Sequence, residues 1–84
     1  MDDDATIETD FANASDPKAL GEAIRNARLS AGLSQGKLEK SSNISISTIS
    51  RIETGKGTTP NLETLKEIAE ATNSELQIRF TPKK

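Results

Sequence analysis

Leu33-Ser34-Gln35-Gly36-Lys37-Leu38-Glu39-Lys40-Ser41-Ser42-Asn43-Ile44-Ser45-Ile46-Ser47-Thr48-Ile49-Ser50-Arg51-Ile52-Glu53-Thr54-Gly55 is the stretch that decides the fold. Ser34 stands where a cap is needed for a short helix through Gln35–Ser42, with Leu33 and Leu38 facing inward. Asn43 follows, and asparagine is the non-glycine residue that best tolerates positive φ, so a tight turn belongs there. Ser45 then caps a further helix from Ile46 to about Thr54, in which Ile49 and Ile52 lie three apart on one face.

Upstream, Asp16 can cap orphan amides and Pro17 suits a first helical position, where no N–H is needed. Leu20, Ile24, Ala27 and Ala31 follow on one helical face, and Gly32 ends the run. Downstream, Gly55-Lys56-Gly57-Thr58-Thr59-Pro60 is a loop by composition. Asn61 caps a last helix with Leu62, Leu65, Ile68 and Ala69 as its stripe and Glu63 in its first turn, and Asn73-Ser74 closes it. Leu76-Gln77-Ile78-Arg79-Phe80-Thr81 alternates apolar and polar residues, a strand pattern stopped by Pro82.

The whole chain has 84 residues, 29% of them charged and 32% hydrophobic, with Phe11 and Phe80 as its aromatics, so the core must be built from Leu, Ile and Ala. It contains no Cys and no His, which removes disulfides, thiolate nucleophiles, imidazole bases and the usual zinc ligands. The serine-rich stretch 41–50 has no base beside it to make a nucleophile. The expectation is therefore a protein that is not an enzyme and has no metal and no cofactor. No apolar run approaches a membrane span and no signal-peptide core precedes the body, so a soluble, cytoplasmic protein is expected.

Charge divides the chain unevenly. Residues 1–16 hold six acids and no base, whereas all 11 Lys and Arg lie in 17–84 with the other seven acids. The mildly basic body permits nucleic-acid binding. The sequence thus divides into an acidic, flexible arm over 1–15, a helical domain over 16–73, and a strand with a basic tail over 74–84. The arm is either a solubilising tail or a segment that orders on a basic partner, where Ile7 and Phe11, four apart, would form one stripe of a short helix.

Two short helices joined by a tight turn, the second amphipathic, describe a helix-turn-helix unit. Leu33-Ser34-Gln35, Leu38, Asn43-Ile44-Ser45, Thr48-Ile49-Ser50 and Ile52-Glu53-Thr54-Gly55 resemble the signature of the lambda-repressor/Cro-type (Xre) DNA-binding family, over roughly residues 19–72. The resemblance implies an all-α fold: a four- to five-helix lambda-repressor-like domain carrying one C-terminal β-strand that pairs across a dimer. The sequence departs from the pattern at Glu39, where the family usually has a small Ala packed between the helices, and at Asn43, which replaces the usual turn Gly.

In such a unit the second helix enters the major groove and its N-terminal side chains reach base edges. Off the apolar face of the helix from Ser45 lie Ile46, Ser47, Ser50 and Arg51. These match the base-reading positions of the resembled family. Arg51 suits guanine because its fork spans O6 and N7, the alternative being a solvated surface charge; Ile46 suits a thymine methyl. Phosphate contacts are expected from Gln35 at the start of its helix, from Ser45 and Thr48, and from Lys56, Thr58, Thr59 and Asn61 in and after the loop. Thr58 and Thr59 read equally well as plain turn chemistry. In the resembled family, residues at the positions of Arg28 and Glu53 form a partly buried ion pair, which assigns both to the scaffold.

A single strand in an otherwise helical chain leaves its backbone groups unpaired. Pairing with the same strand of a second copy would satisfy them and bury Leu76, Ile78 and Phe80, the expected dimerisation residues; the alternative is a tail docked on its own domain. Two-stranded lids of this kind are implied by resemblance to HipB-like antitoxins. The expected partners are a double-stranded DNA operator, a second copy of the chain, and a toxin protein encoded nearby, with no membrane. The leading expectation is a repressor of its own toxin–antitoxin operon. The alternative is an interaction module that regulates a partner protein without specific DNA binding.

Overall fold

The computed structural model of the chain describes residues 5–10, 16–57 and 59–79. Its elements run β1 (Ala5–Asp10), α1 (Pro17–Ser30), α2 (Gln35–Ser42), α3 (Ile46–Glu53), α4 (Leu62–Ala71) and β2 (Ser74–Arg79). Every helix starts on a short polar side chain that accepts from its first free amides. Asp16 Oδ1 takes the Lys18 N–H at 3.1 Å, Ser34 Oγ that of Lys37 at 3.1 Å, Ser45 Oγ that of Thr48 at 3.2 Å, and Asn61 Oδ1 that of Thr64 at 2.8 Å. Between α2 and α3, Asn43 adopts φ 63° and its N–H returns to the Glu39 carbonyl at 3.0 Å. That left-handed residue turns the chain within a few positions and brings α3 across α2.

The core consists of Leu20, Ile24 and Ala27 from α1, Leu38 from α2, Ile49 and Ile52 from α3, and Leu65, Ile68 and Ala69 from α4. Ile44, in the turn, joins them at 8% exposure. Its N–H is held by Ser42 Oγ at 3.2 Å, so the turn is pinned by a buried polar contact. Two expected stripe positions do not join the core. Ala31 is the exposed C-terminal cap of α1, one turn beyond the buried face, and Leu62, first in α4, stays 50% exposed. A helix end lies past the reach of its neighbours, so the periodic pattern overruns the packed face there.

α1 packs against α3 and β1, α2 against α3 and α4, and α4 against β2. Gly21 makes the first of these contacts possible: a Cβ built there would lie 2.7 Å from the Glu53 carbonyl oxygen. The α1 backbone therefore sits directly on the C-terminal end of α3, and this fixes the attitude at which α3 leaves the domain.

The four helices and the short C-terminal strand are present, but the strand is not alone. β2 pairs in parallel with β1, from Ala5 opposite Ser74 to Asp10 opposite Arg79. This corrects the expectation that the C-terminal strand lacks a partner in its own chain, the premise from which pairing across a dimer is favoured. It also corrects the reading of Ile7 as part of a helical stripe, Phe11 lying outside the described residues. The physical reason joins local propensity to a distant edge. Thr6, Ile7 and Thr9 are β-branched, with side chains that favour extended backbone, and the unpaired N–H and C=O groups of β2 supply the ladder they need. Ala5–Asp10 is thus part of the fold rather than a free arm. The strand begins two residues before the expected 76–81 span, and Phe80 and Thr81 lie outside the described residues.

Candidate nucleic-acid interface

α3 buries Ile49, Ile52 and Glu53 and turns its other side outward. On that side Ile46 is 44% exposed, Ser47, Thr48 and Arg51 are exposed, and Ser50 is half-buried. Around Ile46 the hydroxyls cluster: Ser45 Oγ donates to Thr48 Oγ1 at 2.8 Å and lies 3.3 Å from Ser47 Oγ.

The other end of the ridge is basic. Arg51 leans over the loop that follows α3, where a Cβ on Gly57 would come within 3.4 Å of its Nη2. Thr48, Arg51, Ile52, Lys56 and Gly57 line one open concavity of about 270 Å³. The exposed Lys56 is anchored through its backbone, its N–H donating to the Arg51 carbonyl at 2.9 Å. Among the described residues neither cation is paired with a carboxylate. Two unneutralised cations at the rim of a concave surface attract polyanions.

Of the other residues singled out for phosphate, Thr59 and Asn61 are exposed beside this loop, Asn61 with its Oδ1 already committed to the α4 cap. Thr58 lies outside the described residues. Gln35 heads α2, but its Nε2 donates to Glu53 Oε1 at 3.2 Å, so this side chain braces the scaffold. Glu53 also receives Arg28 Nε at 2.6 Å and Arg28 Nη2 at 2.9 Å, while Arg28 Nη1 reaches the Leu33 carbonyl at 2.8 Å. The hydrogen bonds that Arg28 donates to Glu53 raise the Arg28 pKa above its ordinary value, burial opposing and the Glu53 charge adding to the rise, so the cation persists. One charged network therefore joins α1, the start of α2 and the end of α3.

Glu39 was singled out only as a departure from a pattern. Its Oε2 accepts the Ile46 N–H at 3.0 Å, which places it at the head of α3. The sequence signal is faint: a carboxylate seven residues before a helix start, across a turn.

Of the expected dimerisation residues, Leu76 is half-buried against the core, Ile78 is 42% exposed and Phe80 lies outside the described residues. Among the described residues there is no group of acidic side chains that could hold a metal ion, and no helix long and apolar enough to cross a membrane.

A family model described as helix-turn-helix matches residues 24–78, a span that takes in α2, the Asn43 turn and α3 together. The chain belongs to the Cro/C1-type helix-turn-helix family. Comparison with curated proteins and with solved structures returned no match. As a helix-turn-helix protein of this type the chain carries a DNA-binding regulatory domain.

Proposed function

We propose that the protein is a sequence-specific transcriptional repressor that reads a palindromic operator with α3. The observation that carries this reading is the ridge of exposed Ile46, Ser47 and Arg51 with half-buried Ser50, on a helix whose opposite face is packed. Arg51 reads guanine through a bidentate fork, Ile46 lies against a thymine methyl, and the two serines add weakly discriminating contacts. Ser45, Thr48, Lys56, Thr58, Thr59 and Asn61 grip phosphates on either side, with Gln35 contributing the start of α2 to the same backbone.

One short helix reads too few base pairs to select a site, so two copies act on half-sites about 34 Å apart. Pairing with β1 uses one edge of β2. The other edge and the exposed Ile78 are available to a second copy, with Leu76 and Phe80 completing the apolar side. On this reading the protein represses its own operon as the antitoxin of a toxin encoded beside it.

Salt dependence of binding tests the reading. Titration with a duplex selected from a randomised pool is expected to give log K falling against log salt with a slope of about −4 to −6 per dimer. Failure to bind any duplex in dilute buffer would assign the domain to protein partners instead.

A further inference from the structure

Glu39 carries its charge from α2 to the head of α3. Its Oε2 accepts the backbone N–H of Ile46, the first residue of α3, at 3.0 Å, and the residue is half-buried between the two helices. Ser45 Oγ satisfies Thr48 N–H at 3.2 Å, so two of the free amides at this helix start are already taken by the chain. Free amides and the positive end of the helix dipole make such a terminus attractive to an anion. Here that anion is a carboxylate of the protein itself, and among the described residues no Lys or Arg is ion-paired with it.

Ile46 and Ser47 sit beside this carboxylate on the face assigned to bases. A DNA phosphate brought against the start of α3 would meet negative charge where it would otherwise find amide donors. Phosphate contacts are the same for every sequence and supply nearly all non-specific binding. A repulsive group at this point weakens non-specific complexes more than complexes in which base contacts hold the helix.

We propose that Glu39 is a specificity-determining positioning residue, whose carboxylate ties the start of α3 to α2 and keeps the Ile46 amide from phosphates, leaving only the Ser45 and Thr48 hydroxyls to meet them at that helix end. The inference rests on the DNA-binding reading above. Two variants separate its parts. Glu39→Gln keeps an acceptor oxygen for Ile46 N–H and removes the charge; Glu39→Ala removes both.

Affinities are measured for a short duplex of mixed sequence and for a duplex that the wild-type chain selects from a randomised pool, with amide exchange of Ile46 followed by NMR in the free protein. Glu39→Gln is expected to bind the mixed duplex about threefold tighter and the selected one by less, so the ratio between them falls while Ile46 stays protected. Glu39→Ala is expected to lose the protection of Ile46 and weaken the selected complex. An unchanged ratio in Glu39→Gln, or an equally protected Ile46 in Glu39→Ala, would overturn the proposal although the wild type still selects its duplex. A wild-type chain that selects no sequence would remove the DNA-binding reading and this inference with it.

Discussion

Arg28 on α1 grips Glu53 at the end of α3 with two nitrogens, Nε on Oε2 at 2.6 Å and Nη2 on Oε1 at 2.9 Å. Both side chains are nearly out of solvent, at 9% and 3% exposure. Removing one member leaves the other charge buried without its counterpart, which costs far more than the intact pair contributes. Arg28→Ala is therefore expected to destabilise the domain by about 3–5 kcal/mol. In a domain of this size that is most of the stability, and thermal melting followed by circular dichroism should show either a midpoint lowered by more than about 10 °C or no cooperative transition. An unchanged midpoint would contradict the assignment of this pair to the scaffold.

Gly21 tests the same junction from the backbone side. A Cβ there would stand 2.7 Å from the Glu53 carbonyl oxygen, a backbone atom with no flexible end to yield. Gly21→Ala is expected to push α1 off α3 at a cost of about 1–3 kcal/mol, even though alanine is the better helix former. The melting midpoint reads this directly; a stabilised variant would mean that the helices separate freely.

The Asn43 turn offers a milder test. At φ 63° any residue other than Gly, Asn or Asp is strained. Asn43→Ala is expected to lose about 1 kcal/mol and Asn43→Gly to be nearly neutral, both measured by urea denaturation. Equal losses in the two variants would assign the role of Asn43 to its amide rather than to its backbone.

The helices were legible because each carries two independent signals, a polar cap and an apolar stripe, and Asp16, Ser34, Ser45 and Asn61 all cap as their positions suggest. The turn was legible because few residues tolerate its backbone. Less could be read where structure depends on a distant partner. Ala5–Asp10 has too little apolar content to announce a strand, and it becomes one because β2, some seventy residues later, offers an unpaired edge. Ala31 and Leu62 leave the core because burial at helix ends depends on what packs beyond them. Glu39 and Gln35 could be placed on a helix but not matched to Ile46 and Glu53, since reach across a turn is a property of the fold and not of spacing.

Arg51 and Lys56 lie in one concavity yet should answer to DNA differently. Arg51→Ala is expected to cost about 1–3 kcal/mol on the selected duplex, to relax the preference at one base position, and to leave the melting midpoint unchanged. Lys56→Ala is expected to weaken all duplexes alike and to reduce the salt slope by about 1 per subunit. Binding isotherms across a salt series on the selected duplex and on its single-base variants separate the two. If Arg51→Ala weakened every duplex equally, its guanidinium would be a phosphate contact and the ridge would owe its selectivity to Ile46 and the serines.

Ile78 tests the proposed meeting of two copies. In the single chain it is 42% exposed, so replacing it with a charge removes little buried contact, whereas Leu76 two residues earlier leans on the core. If β2 offers its open edge to the same strand of a second copy, Ile78 is buried at that junction, and a pair of like charges brought together there is repelled. Ile78→Asp is then expected to sediment as a monomer with its melting midpoint at low concentration close to that of the wild type, and to lose cooperative binding to a palindromic duplex while retaining weak binding to a half-site. Phe80→Asp should act in the same direction. A dimer that survives Ile78→Asp would place the contact between copies elsewhere on the domain, and the half-sites would then be spaced by that surface instead of by the sheet.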